Sequence, residues 1–152
     1  MKHRALALLL AALALSPALA ADSEDDLPWA FNNAPADGYS ITLVSAVPAP
    51  GEELIAGTSV EFKINVSYEL AIAERGIVAL VFQDEKNRPA APDGTQVPQK
   101  IAKPGGTLVL SQTLVVPKKA KELRIFVALA PDGARETQGE VVIRYPIAKA
   151  PQ

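Results

Sequence analysis

The stretch Ser59–Leu70 reads SVEFKINVSYEL and alternates strictly between two kinds of side chain. A period of two places one set on each face of an extended strand, whereas a helix would scatter both sets around its circumference. The stretch therefore predicts a long strand with one face in a core and the other in water. The inward set is Val60, Phe62, Ile64, Val66, Tyr68 and Leu70.

Shorter apolar runs, separated by Pro, Gly and Asp-Gly turn signals, predict further strands on both sides of this one. About seven short strands and no helix of useful length indicate an all-β, two-sheet antiparallel sandwich, with a small closed barrel as the alternative. The predicted strands are Tyr39–Val47, Ser59–Leu70, 77–82, 107–116, 123–129 and 140–145, with a weaker edge strand at 97–101.

The run ITLVSAVPAPGEELIAGTSVEFKINVSYEL, residues 41–70, resembles the first two strands of bacterial immunoglobulin-like or fibronectin-III-like domains, including the CARDB type. In those domains a Pro/Gly-rich turn, a second turn that ends in Gly and a long alternating strand follow one another. The resemblance implies an immunoglobulin-like sandwich, and such domains serve as adhesion, spacer or binding modules. The residues that fit this layout are Gly51, Gly57, Val60, Phe62 and Val66.

The first 20 residues have the layout of a Sec-type signal peptide. A short basic segment precedes an Ala/Leu run over residues 5–15, and Ala18 and Ala20 are the small residues that a cut after Ala20 requires. A membrane anchor is the alternative, but the eleven apolar residues of this run fall short of the roughly 20 that span a bilayer. We therefore expect a periplasmic or secreted protein without a membrane anchor after cleavage.

The predicted organisation is a signal peptide at 1–20, a flexible acidic leader at 21–38, the sandwich at 39–147 and a C-terminal tail at 148–152. Two aromatic residues of the leader, Trp29 and Phe31, invite two interpretations. They either dock onto the sandwich or form part of a ligand platform.

Composition excludes several chemistries. The chain has no Cys, and its single His is His3, in the predicted signal peptide. The mature protein would therefore lack disulfides, thiolate or imidazole metal ligands and the base of a Ser-His-Asp triad. The formal charge of −2 does not fit a nucleic-acid partner, which requires a basic surface. We expect no nucleic-acid binding, no cofactor and no enzymatic activity.

After these exclusions, the remaining candidates for catalysis or metal binding are carboxylates. The pairs Glu52-Glu53 and Asp84-Glu85 are candidates for a hydrolase. Asp84, Glu85 and Asp93 are candidates for a Ca²⁺ site. Adjacent carboxylates in loops tend to point apart, so solvated loop charge is the favoured interpretation, and we assign no catalytic or metal-binding residue.

One face of the predicted sandwich carries apolar residues outward. If Ile125 and Val127 face the core, then Phe126 and Ala128 face away from it, and Val142 does so on the next strand. The strand at 77–82 is apolar at both parities, so either set of its residues can join this strip. An outward apolar strip marks a covered or binding surface.

We hypothesise that this strip is covered either by the leader aromatics or by another chain, through partner binding or self-association. The residues assigned to the surface are Phe126, Ala128, Val142, Leu80, Phe82, Trp29 and Phe31.

The sequence therefore predicts an exported binding or scaffolding module of immunoglobulin-like fold. One alternative is a carbohydrate-binding module, whose exposed aromatics would have to come from Trp29, Phe31, Tyr39 and Tyr145. The other is a carboxylate-only hydrolase, which needs two carboxylates roughly 5 to 9 Å apart in a concave pocket.

Overall fold

The computed structural model describes residues 28–33, 36–91 and 98–151, with the side chains of residues 30–33 left out. The predicted signal peptide therefore lies outside the described residues. The strands are β1 (Trp29–Asn33), β2 (Tyr39–Val47), β3 (Leu54–Ile55), β4 (Ser59–Leu70), β5 (Arg75–Asp84), β6 (Gln99–Ala102), β7 (Gly105–Val115), β8 (Glu122–Pro131) and β9 (Gly139–Ala148).

These strands form two separate sheets. The smaller sheet has the order β2-β4-β7, and the larger has the order β1-β9-β8-β5-β6, with β3 beside the end of β9. All pairings within the two main strand orders are antiparallel, and the short β3–β9 pairing is parallel. The predicted two-sheet sandwich is thus confirmed. The described strands do not close into one sheet, so the barrel alternative is wrong.

The core lies between the sheets and is built on β4, the middle strand of the smaller sheet. Phe62, Ile64 and Val66 are fully buried, as the alternation predicts. Each apolar side chain of this size contributes about 2 kcal/mol when it leaves water. The larger sheet meets them with alternate residues of its three central strands, among them Leu80, Phe82, Ile125, Val127, Val141, Ile143 and Tyr145.

An aromatic cluster joins the two sheets at the centre of this core. The ring of Phe62 lies 5.7 Å from that of Phe82 and 5.5 Å from that of Tyr145, centroid to centroid. Both are tilted arrangements of the kind that aromatic rings prefer. The Tyr145 hydroxyl donates a hydrogen bond of 2.9 Å to the backbone oxygen of Pro48, at the end of β2. Burial, reinforced by the charge of Glu52, raises the pKa of Tyr145, so its hydroxyl stays a donor.

The turn that follows Pro48 is one of the two turns on which the family resemblance rests. Gly51 and Gly57 both have φ of 81°, in the left-handed region that favours glycine. Backbone conformation therefore favours glycine at both positions.

The leader is shorter than predicted, because residues 29–33 form β1. Its backbone pairs with β9, from Trp29 opposite Ile143 to Asn33 opposite Glu140, and Trp29 packs against the core. A five-residue strand interrupted by an irregularity between Phe31 and Asn33 has too little periodicity to stand out in the sequence. The sandwich therefore begins before Tyr39.

The last strand is longer than predicted, because β9 runs through Pro146 to Ala148. The chain stays extended since the residues after the proline are bonded on both sides. Ile147 N–H donates to Lys121 oxygen, and the oxygen of Ala148 accepts from Ala56 N–H, at 2.9 Å each. Pro146 itself is exposed, and the predicted end of this strand at residue 145 is wrong.

We expect Tyr145→Phe to lower the free energy of unfolding by about 1 kcal/mol. The ring contact with Phe62 stays, but the Pro48 oxygen loses its hydrogen-bond donor. About 1 kcal/mol is the usual net contribution of one such hydrogen bond to stability. Urea unfolding followed by circular dichroism measures the change. Tyr39→Phe, on a half-buried ring, is the matched control and should change the free energy of unfolding by only a few tenths of a kcal/mol. An equal effect of both substitutions would contradict the role given to the Tyr145–Pro48 bond.

Candidate functional site

The candidate carboxylates are occupied by the protein's own loops. Asp84 is 5% exposed, and its Oδ1 accepts hydrogen bonds from Lys86 N–H and Arg88 N–H at 2.8 and 2.9 Å. Its Oδ2 meets the Arg88 guanidinium through Nε at 2.7 Å and Nη2 at 2.6 Å. Glu85 accepts from Lys121 N–H at 3.0 Å. These contacts close the loop after β5.

Two opposing influences act on Asp84. Burial by itself raises the pKa of the carboxyl, but the hydrogen bonds from the Arg88 side chain and from the Arg88 and Lys86 backbone outweigh it. The net pKa of Asp84 lies below its ordinary value of 3.8. The carboxylate is therefore a stabilising anion of the loop at neutral pH.

In the other candidate pair, the Glu52 side chain accepts a hydrogen bond of 3.0 Å from Ala49 N–H in its own turn. Within the described ranges, no three His, Cys, Asp or Glu side chains come together as a group that could hold a metal ion. Asp93, the third residue of the candidate Ca²⁺ site, lies outside those ranges.

Asp84→Asn should lower the melting temperature at pH 7 by a few degrees, because the loop loses its charged acceptor. Since the folded-state pKa lies below 3.8, this stabilisation is present above the unfolded pKa and disappears as pH falls through the folded pKa. The melting curves of the two proteins should therefore converge in acid. Asp132→Asn, at an exposed pair with Arg75, is the control and should change little. A gap between wild type and Asp84→Asn that stays constant down to acid pH would contradict this account.

The outer side of the larger sheet, facing away from the core, carries apolar residues from three neighbouring strands. Strand register sets three rows on it. Ile77 lies opposite Ala130, Ala79 opposite Ala128 and Val81 opposite Phe126, and Phe126 also lies opposite Val142 on β9. We call these seven residues the open face: Ile77, Ala79, Val81, Phe126, Ala128, Ala130 and Val142.

A groove of about 400 Å³ runs over the open face. Its floor is low because Ala79, Ala128 and Ala130 are small, and Phe126 is the one aromatic residue among the described side chains that line it. The remaining lining residues are Ile77, Val81, Gln83, Thr137 and Glu140. The volume and the mostly apolar lining fall in the range of ordinary ligand sites.

Of the five predicted surface residues that belong to β5, β8 and β9, the structure places three on this face and two in the core. Phe126, Ala128 and Val142 point outward, although Ala128 and Val142 are only 8% and 3% exposed. Leu80 and Phe82 are core residues, and their assignment to the surface is wrong. Register explains the error, because Leu80 lies opposite Val127 and Phe82 opposite Ile125, both inward. The strand contributes its other set, Ile77, Ala79 and Val81.

Trp29, one of the two leader aromatics, does not cover the open face. That residue is opposite Ile143 and packs against the core. Phe31 lies opposite Val141 by its backbone, and its side chain lies outside the described ones. Tyr145 is fully buried, and Tyr39 packs against the core as well. Among the described side chains, the aromatic residues that a carbohydrate-binding module would need therefore pack in or against the core.

The groove also contains residues that sequence reasoning missed. Ala130, near the end of β8, continues the parity of Phe126 and Ala128, so the alternation of this strand could have predicted that it faces outward. Gln83 and Glu140 continue the outward parity of their own strands. Thr137 belongs to the loop between β8 and β9, and only the fold brings it to the groove.

Comparison with known proteins gives similarity of fold alone. No family profile and no curated protein matches the chain. The CARDB domain of a Pyrococcus furiosus protein, solved with di-metal ions, is similar over 76% of this chain and 94% of that domain, with 10% identity and a TM-score of 0.46. A β-glucosidase from Listeria innocua in complex with glucose is similar over 72% of this chain, with 15% identity and a TM-score of 0.43.

This chain covers 16% of the length of that β-glucosidase chain. The first of the two similar structures is a CARDB domain, which is one of the domain types that the sequence resembles. Over the described part of the chain, no helix has the length and apolar character that crossing a membrane requires. The protein is a β-sandwich module.

Proposed function

We propose that the protein is an exported, non-enzymatic binding module that holds a protein partner on the open face. The observation that carries the proposal is the groove, an apolar depression on an outer sheet surface that contributes little to the core. Apolar surface of this kind marks interaction sites in water. The smaller sheet offers a contrast, since its middle strand turns Glu61, Lys63 and Glu69 to solvent.

A non-catalytic role is supported by the carboxylates. Among the described residues that line the groove, Glu140 is the one charged residue, whereas carboxylate-only hydrolysis requires two converging groups. The candidate residues Glu52, Asp84 and Glu85 accept backbone hydrogen bonds in loops. The predicted removal of His3 leaves no imidazole in the mature chain.

The chemistry of the groove favours an extended protein segment as the partner. An alanine floor beside Phe126 and Val81 suits aliphatic side chains, whereas sugar hydroxyls would lose water over these apolar residues. The partner is therefore a strand-like segment with alternating aliphatic residues.

A dye-labelled peptide of alternating valine and serine residues tests this function by fluorescence anisotropy. We expect it to bind, and to bind more tightly than the same peptide with every valine replaced by serine. Phe126→Asp should raise the dissociation constant at least tenfold (about 1.4 kcal/mol). Val44→Asp, at an exposed site of the other sheet, is the control and should leave binding unchanged. Equal binding by wild type and Phe126→Asp, or by both peptides, contradicts the proposal.

Export has its own test. When the full chain is expressed in a Gram-negative bacterium, the protein recovered from the periplasm should begin at Ala21, as intact mass measurement shows. Leu9→Arg interrupts the apolar run of the signal peptide and should leave the uncut precursor in the cell. Recovery of the uncut wild-type chain from the membrane fraction would instead support an anchor.

A further inference from the structure

We infer that β7 pairs with β7 of a second copy of this chain, edge to edge and antiparallel, so that two smaller sheets become one sheet of six strands. The inference goes beyond the open face and uses a different surface. It starts from the position of β7, which is the outermost strand of the smaller sheet and pairs, among the described strands, with β4 alone.

An outer strand presents a row of N–H and C=O groups to any other strand, and proteins usually block that row. The other outer strands here carry such blocks. Between Leu43 and Ser45, β2 is irregular, and β1 is irregular between Phe31 and Asn33. The strand β6 has only four residues and includes Lys100, and both features discourage further pairing.

The edge of β7 has none of these devices. Its sequence, GGTLVLSQTLV, contains no charged residue and no proline. Its register with β4 is unbroken, from Ser59 opposite Val115 to Glu69 opposite Gly105. Eleven residues in a regular strand present an edge of roughly 37 Å, which is long enough for specific pairing.

The side-chain pattern of β7 identifies a second copy as the partner. In antiparallel pairing about a two-fold axis at Ser111, the outward residues Thr107 and Val109 face Val115 and Thr113 of the other copy. Each threonine then lies opposite a valine, and β-branched cross-strand pairs of this kind stabilise sheets. Like charges do not meet, because the strand has none.

The inward side agrees with the same axis. Leu108 is half-buried, and the pairing places Leu114 of the other copy opposite it. The exposed valines of this strand, Val109 and Val115, are 60% and 58% exposed in the single chain. Pairing removes part of this apolar surface from water, which favours association.

Sedimentation equilibrium tests the inference on the full chain. The wild type should form dimers as concentration rises. Ser111→Lys and Ser111→Glu each place like charges directly opposite one another at the two-fold axis, so each should raise the dimer dissociation constant about tenfold or more. An equimolar mixture of the two variants should restore dimers, because a cation then faces an anion. Ser45→Lys, on the opposite edge of the same sheet, is the matched control and should dimerise as the wild type does.

A wild type that stays monomeric at every concentration overturns the inference, and so does a Ser111→Lys protein that dimerises normally. A mixture that stays monomeric overturns the pairing about Ser111. Circular dichroism should show the same fold for all variants, since Ser111 is exposed. Both Ser111 variants should keep peptide binding by the open face, so failure of the dimer and failure of the proposed function are separate results.

Discussion

The contact of Phe62 with Phe82 and Tyr145 is the interaction on which the rest of the sandwich depends. Phe62 comes from the smaller sheet, and the other two rings come from the larger one. Once this contact forms, the parity of three strands is fixed, because successive side chains of a strand point to opposite faces. Tyr145 extends the constraint through its hydroxyl to the backbone of Pro48 and so ties the last strand to the turn after β2.

The open face follows from this constraint. With Phe82 turned to the core, Val81 must face outward, and the register then places Phe126 beside it. Had the parity been opposite, the large residues of β5 would have lined the outer surface and the alanines would have lined the core. The observed choice leaves small residues under the groove, which gives the outer surface its depression. The site is therefore a consequence of how the core is filled.

The strands that alternate regularly between apolar and polar residues were predictable, and β4 is the best example. One of its faces meets the core and the other meets solvent, which gives its sequence a period of two residues. The sequence of β5 is apolar at both parities, so its inward set could be assigned only from its pairing with β8. Leu80 and Phe82 were misplaced for that reason. Neither β1 nor the part of β9 beyond Pro146 has a local signal, since both exist through long-range backbone pairing. Thr137 reaches the groove from a loop, which no periodicity describes.

The core cluster includes Ile125, Val127 and Leu129 of β8 and not Phe126, so we expect the core side of this strand, and not its outer side, to hold the fold together. Urea unfolding of Phe126→Asp and Val127→Asp compares the two sides, since these adjacent residues lie on opposite faces of one strand. We expect Phe126→Asp to lower the free energy of unfolding by about 1 kcal/mol or less. For Val127→Asp we expect a loss of at least about 4 kcal/mol, or failure to fold, because an unpaired charge is buried. Equal losses for the two variants, or a larger loss for Phe126→Asp, would contradict this expectation.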